Sequence, residues 1–295
     1  MEYQLSYIIS TRNRLTFLKI TLAKLISELL PDEEIVVVDG NSNDGAKEYL
    51  QQLFTEGKIH QYISEPDHNQ AHGWNKAMLM ARGTIIKKII DDDVFCYQAI
   101  RKCKDYMQQH RDVDVVISND LYSSVTCHTT IDSASRFEPY KQWQAKIIPS
   151  FTFGDVHLLI RRSSLAYIGL YNTCYTMMDY EYSLRMSYLQ AKIVYYTGYN
   201  ALSVAHAQTV TSASTLQVLK KEGESVNVFY EYAGDHADVS RWSKIKVQIG
   251  LFLFGRKAAE SVLGKKEAHN LNLVYEHFYS HLESLNEDNE FEFIA

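Results

Sequence analysis

The residues best suited to chemistry in this chain are three consecutive carboxylates, Asp91-Asp92-Asp93. They follow Thr84-Ile85-Ile86-Lys87-Lys88-Ile89-Ile90, a run with the β-branched content of a sheet strand. The acids therefore fall at a strand end, which is where open α/β sheets bind their ligands. Adjacent carboxylates repel one another, and solvent or one lysine relieves only part of that. A hard divalent cation relieves it better, because its oxygen ligands can be shared with a substrate phosphate. The alternative is a solvated acidic turn, and the remaining strand ends decide between the two.

Leu5-Ser6-Tyr7-Ile8-Ile9-Ser10 reads as a buried first strand and opens into Thr11-Arg12-Asn13-Arg14. Glu34-Ile35-Val36-Val37-Val38-Asp39 is a second strand, almost uniformly β-branched, as parallel strands covered on both faces tend to be. A short strand over 58–63 ends in Ser64-Glu65-Pro66-Asp67. These polar ends and the acid triplet would line one edge of one sheet. Neither a GxGxxG turn nor a GxxxxGK[ST] loop is present, which excludes the usual dinucleotide and P-loop sites and leaves another nucleotide site open. Farther on, Asp179 and Glu181 open a helical stretch, and His206 follows a strand.

The elements that position these residues alternate. Leucines and isoleucines recur at helical spacing from Leu15 to Leu29, and Pro31 closes that helix. A second helix carries Tyr49, Leu50 and Leu53, with Asn43 or Asp44 as its expected N-cap. A third runs through Trp74 and Ala81, with Gly83 as its expected C′ glycine. Strand, helix, strand, helix predicts a mainly parallel α/β sheet with right-handed crossovers. A helix over 97–110 and a strand over 113–118 continue it. Residues 120–149 read as mixed β structure and loop flanking an acceptor cleft, and 151–160 as β-rich. A last strand over 192–197 runs on through 201–205 to His206. Beyond about residue 210 the pattern turns helical, over 215–233 and 274–285. The expected division is a domain over 1–210 and a C-terminal helical extension over 211–295, with a frayed acidic tail from Glu287.

Composition sets further bounds. The chain has 295 residues, 46% hydrophobic and 22% charged, as in ordinary globular proteins. A formal charge of -6 argues against a nucleic-acid binder working by bulk electrostatics. Cys96, Cys103, Cys127 and Cys174 form no CxxC pair, so no zinc or redox site is expected. There is no secretory signal pattern and no apolar run of the roughly 18 residues that a membrane span needs. The expected compartment is the cytoplasm, with reduced thiols. The apolar run within 242–266, flanked by Arg256, Lys257, Lys265 and Lys266, fits either an ordinary packing helix or one lying at an anionic membrane surface.

Five segments in order resemble family 2 glycosyltransferases of the GT-A fold. They are Ile8 to Arg14, Glu34 to Gly45, Ser64 to Gly83, the acid triplet, and Arg161-Arg162-Ser163 through Gly169 to Asp179-Tyr180-Glu181-Tyr182-Ser183-Leu184-Arg185. The resemblance spans about residues 5–210. It implies that Asp39 accepts a hydrogen bond from the base of a nucleotide-sugar, that Thr11 and Arg14 border base and phosphates, and that Asp67 and Lys76 serve the ribose or diphosphate side. It makes Asp92 and Asp93 the metal and ribose candidates with Asp91 third, the register being open by one, and His206 a further metal or diphosphate ligand. Asp179 takes the place of the catalytic base, although Met178 precedes it where an acid is more usual, and Glu181 could share the role. A carboxylate at a helix N-terminus is expected to have a lowered pKa.

The implied activity is a metal-dependent (Mn2+ or Mg2+), inverting transfer from a nucleoside-diphosphate sugar, taken as a UDP-sugar. The acceptor would be a hydroxyl of a glycan or lipid-linked acceptor in polysaccharide or lipopolysaccharide synthesis. Two rivals stand beside it. A nucleotidyltransferase would show a Gly-rich basic loop after the first strand, and Thr11-Arg12-Asn13-Arg14 lacks glycine. A non-catalytic GT-A-like scaffold is kept open by Met178.

Overall fold

The computed structural model describes residues 3–206, 216–234 and 270–295. The first half alternates as expected: β1 (Leu5–Thr11), α1 (Leu15–Glu28), β2 (Glu33–Asp39), α2 (Ala46–Thr55), β3 (Gln61–Ser64), α3 (Gln70–Met80) and β4 (Ile85–Lys88). Next come β5 (Val94–Phe95), α4 (Tyr97–Gln109), β6 (Val115–Ser118), β7 (Asp120–Ser124), β8 (Asp132–Ala134) and α5 (Phe137–Gln144). The chain continues through β9 (Leu159–Arg161), α6 (Leu165–Ile168), α7 (Met178–Tyr188), β10 (Ile193–Tyr196) and β11 (Ala201–Ala205). The C-terminal elements are α8 (Leu216–Phe229), α9 (Leu271–Glu287) and β12 (Phe293–Ile294).

Eight strands form the main sheet in the order β12-β10-β6-β9-β4-β1-β2-β3. Strands β1 to β4 are parallel within it, β9 runs antiparallel between β4 and β6, and β12 is antiparallel to β10. Strand alternation divides the side chains between two faces. Leu5, Tyr7, Ile9, Ile35 and Val37 pack against α1, α2, α4 and α9, while Ile8, Val36 and Val38 pack against α3, α5 and α7. Helices on both faces explain why β2 carries no polar stripe. A second sheet, β5-β11-β7-β8, forms beyond the acid triplet.

Several local expectations change. The N-cap of α2 is Gly45 in the left-handed region (φ 92°), and Asp44 instead accepts hydrogen bonds from the Ala46 and Leu15 N–H groups. Helix α3 ends at Met80, and Gly83 serves close packing: a Cβ there would lie 2.7 Å from Ser6 N. Residues 151–158 are mostly irregular, with one 3-10 turn (Asp155–His157) before β9. Residues 201–205 form a separate strand of the second sheet rather than prolonging β10.

The tail is not frayed. Tyr195 and Tyr196 pair with Ile294 and Phe293, so β12 closes one edge of the main sheet. Helix α9 is equally integral, burying Val274, Tyr275, Phe278 and Leu282 in the core. No helix of the described residues is long and apolar enough to cross a membrane, and the 242–266 run lies outside them.

Candidate active site

The loops after β1 and β2 are locked together. Asn13 and Asn41 adopt left-handed backbone (φ 54° and 61°), a conformation that asparagine tolerates better than most residues. Asn13 N–H donates to Ser42 Oγ at 2.8 Å, and Asn13 Oδ1 accepts from Asn43 N–H at 2.8 Å. Ser42 Oγ and Ser64 Oγ each donate to the Asp39 carboxylate at 2.5 Å. Asp39 is therefore fully buried and organises these loops from beneath, outside the cleft lining. Lys76 is held by Asp67 at 2.7 Å and Glu65 at 2.9 Å. A pocket of about 410 Å³ opens here, between Ser10, Thr11, Arg12 and Arg14 on one side and Asp67, Asn69, Gln70 and Asp91 on the other.

The acid triplet is a buried turn, not a solvated one. Thr11 Oγ1 donates to Asp91 at 2.6 Å, and the Arg14 guanidinium bridges Asp91 and Asp92. His206 Nε2 meets Asp92 Oδ2 at 2.5 Å, with its ring stacked on Phe17. Tyr275, from α9, donates its hydroxyl to the Asp92 carbonyl at 2.5 Å, and Asp93 accepts the Val204 N–H at 2.7 Å. The three acids divide accordingly. Burial works to raise Asp92, but His206 and Arg14 outweigh it and hold its carboxyl below the usual range. Burial and then the charge of Asp92 push Asp91 up to about 6 and Asp93 well above its ordinary value.

Arg14 and Gln70 also line a larger cleft of about 550 Å³, which continues past Asp92, Asp93, Lys88 and Asp155 to Asp179. Lys88, the last residue of β4, pairs with Asp155 and lies 4.4 Å over the Trp74 ring. Tyr171 donates to the same Asp155 carboxylate at 2.8 Å. Asp179 stands in the first turn of α7 and opens onto the cleft. Its pKa is raised, not lowered as the helix terminus alone suggests: the surrounding protein raises it first and Asp155 adds, with Lys88 opposing.

Glu181 is not in the cleft. It is buried beside α8, bound by Arg185 at 2.5 and 2.9 Å and accepting the Tyr230 hydroxyl at 2.5 Å. Both of its carboxylate oxygens are held by these partners. Met178, which weakened the acidic-pair pattern, fills the core against α3 and α5. Thus Thr11, Arg14, Asp67, Asp91, Asp92, Asp93 and Asp179 line adjoining parts of one cleft, and His206 joins them through Asp92. Asp39, Lys76 and Glu181 are not among the residues that line it. Sequence reasoning missed Asp155, Lys88, Gln70 and Tyr275. Only Lys88 carried a signal, as a lysine inside a β-branched run.

The residues fit a divalent cation in part. Asp92 and His206 converge, and a carboxylate with an imidazole is a donor set that suits Mn2+. No group of three protein ligands occurs among the described residues, so a cation there would need substrate oxygens as well.

Glycosyl transferase family 2 matches residues 6–169, more than half of the chain. Among solved structures, residues 1–349 of S. aureus TarS in complex with UDP-GlcNAc are similar at 16% identity and a TM-score of 0.62, over 85% of this chain and 75% of that one. A mannosyltransferase from Pyrobaculum calidifontis in complex with GDP-Man and Mn2+ is similar at 15% identity and a TM-score of 0.57, over 98% and 89%. A longer TarS chain is matched at 15% identity and a TM-score of 0.55, over 81% of this chain and only 44% of its own length. No curated protein matches.

Proposed function

The chain belongs to glycosyl transferase family 2 and has the GT-A fold of a glycosyltransferase; on that premise we propose that it is an inverting, metal-dependent enzyme using a nucleoside-diphosphate sugar. A single observation carries this reading: one cleft runs from the strand-end loops, through Arg14 and Asp92, to the carboxylate of Asp179. The nucleotide occupies the end lined by Thr11, Arg12 and Asp67. The diphosphate lies at Arg14, with Asp92 and His206 as the protein ligands of the cation. When bound, that cation supplies charge to offset the negative charge developing on the departing diphosphate.

Asp179 removes the proton of the acceptor hydroxyl as its oxygen attacks the anomeric carbon, and the bond to the diphosphate breaks with its electron pair. Direct displacement inverts the anomeric centre. The raised pKa of Asp179 makes it a stronger base than a solvated aspartate once ionised. The complexes of the similar structures with UDP-GlcNAc and GDP-Man support a nucleotide-sugar donor, and we take it to be UDP-linked. We place the reaction on the cytoplasmic side of the membrane, with a glycan or lipid-linked acceptor in polysaccharide or lipopolysaccharide synthesis. The 242–266 run is the proposed contact with the membrane surface.

The test is a panel of UDP-, dTDP- and GDP-sugars, with and without Mn2+, followed by binding and by release of the nucleoside diphosphate. Metal-dependent binding of one donor, with release that Asp92→Ala weakens, supports the reading. A chain that binds no member of the panel with metal present refutes it.

A further inference from the structure

The cleft does not end at Asp179. A smaller pocket of about 290 Å³ lies beyond it, sharing Asp93, Tyr122, Asp155, Asp179 and Ser203 with the main cleft. Its own lining adds Asp120 and His157. Asp120 opens β7, and Tyr122, two residues on, lies on the same face by strand alternation. Ser203 of β11 is the register partner of Tyr122. The second sheet thus turns a carboxylate, a phenol and a hydroxyl toward one small space. His157, 3% exposed, comes from the 3-10 turn before β9.

Hydrogen bonding here is incomplete. Asp120 Oδ1 lies 3.3 Å from His157 Nε2 without the geometry of a hydrogen bond, and neither Asp120 Oδ1 nor His157 Nδ1 has a partner. Arg136 stands 3.8 Å from the other Asp120 oxygen, too far to donate. Buried polar atoms in native proteins are normally satisfied, so two in one pocket call for a ligand or water that completes them. Burial raises the Asp120 carboxyl to about 6, with Arg136 opposing, and lowers His157 to about 3, so the imidazole stays neutral.

The surrounding chemistry selects the class of ligand. Asp93, Asp155 and Asp179 on the same walls disfavour an anion. An apolar group would leave the buried acceptors unmet. A neutral polyhydroxyl ring satisfies both conditions, because each hydroxyl donates and accepts.

We propose that this pocket receives the donor sugar's ring hydroxyls remote from the anomeric carbon, and that Asp120, with His157 beside it, selects the sugar. The inference rests on the glycosyltransferase reading above. It follows from the order of the cleft: with the diphosphate at Arg14 and the anomeric carbon facing Asp179, the rest of the ring extends toward Asp120.

The experiment titrates wild type and Asp120→Asn with UDP and GDP, and with UDP-glucose, UDP-galactose, UDP-N-acetylglucosamine and GDP-mannose, all with Mn2+. Asp120→Asn should bind the bare nucleotides within twofold of wild type. It should lose at least tenfold in affinity, about 1.4 kcal/mol, for the preferred sugar conjugate. Equal losses for nucleotide and conjugate, or no loss for either, overturn the subsite while leaving the enzyme reading intact. Failure of wild type to bind any conjugate overturns both. A second readout needs no variant: wild type should separate at least one pair of these conjugates sharing a nucleotide by tenfold or more, and equal affinity for all of them overturns the proposal.

Discussion

At the proposed nucleotide end of the cleft, polar side chains are tied to neighbours on adjoining strand-end loops, as Asn13, Asp39, Ser42 and Ser64 are. At the inner end they come from parts of the chain far apart: Lys88 pairs with Asp155, the charge of Asp155 acts on Asp179, and Asp120 has no donor to Oδ1. The first region is a preformed frame whose loops are tied to one another by hydrogen bonds. In the second the carboxyls of Asp179 and Asp120 are raised above their ordinary range, which suits a group that takes up a proton. On the proposed reading the two ends have separate tasks, holding and reacting, and substitutions should separate them.

The largest loss is expected at the junction. Asp92→Ala removes the carboxylate shared by Arg14 and His206. It should abolish Mn2+-dependent donor binding and lower kcat by about a hundredfold or more, as measured by calorimetry and nucleotide release. Lys88→Met tests the inner end. As the proposed base Asp179 must be ionised, and Lys88 opposes the rise in its pKa. The acid limb of kcat/KM should lie above the ordinary carboxylate range and move to still higher pH in this variant. A pH–rate profile that stays in place would remove Lys88 from that role.

Glu181→Gln sharpens the contrast between two acids two residues apart. It breaks the pair with Arg185 and weakens the bond from Tyr230. The expected loss is about 1–3 kcal/mol of stability, seen as a lower Tm, with kcat kept within about threefold, the ordinary scatter for a residue outside the chemistry. A collapse of kcat at unchanged Tm would return Glu181 to the catalytic pair. The smallest effect is the pH dependence of stability at Asp120. Its folded pKa of about 6 exceeds its ordinary 3.8, so its contribution is present below about 4 and lost as pH rises through about 6. Asp120→Asn should flatten that part of the stability profile, with Asp91, raised in the same way, keeping the remainder.

How much could be read from the sequence follows the same division. Strands β1, β2 and β4, with polar residues at their ends, were legible because β-branched runs and loop chemistry are local. Asp91-Asp92-Asp93 stood out for the same reason. The pairing of Asp155 with Lys88 was not legible, since the partners lie 67 residues apart. Nor was Tyr275, which reaches Asp92 across 183 residues. The helix-terminus argument for Asp179 failed because it counts only the backbone of α7, whereas the surrounding protein and Asp155 act through space. Helix α5 was hidden by Pro139, which the first turn tolerates. The tail looked frayed because its strand has its partner in β10, about a hundred residues earlier.

The most direct test of the central claim is Asp179→Asn, assayed for donor binding and for turnover in the same buffer with Mn2+. Donor affinity should stay close to wild type with kcat reduced by about 10²–10⁴-fold, the usual contribution of a general base. Turnover near the wild-type rate, or loss of donor binding together with activity, would contradict the division of this cleft into a holding end and a reacting end.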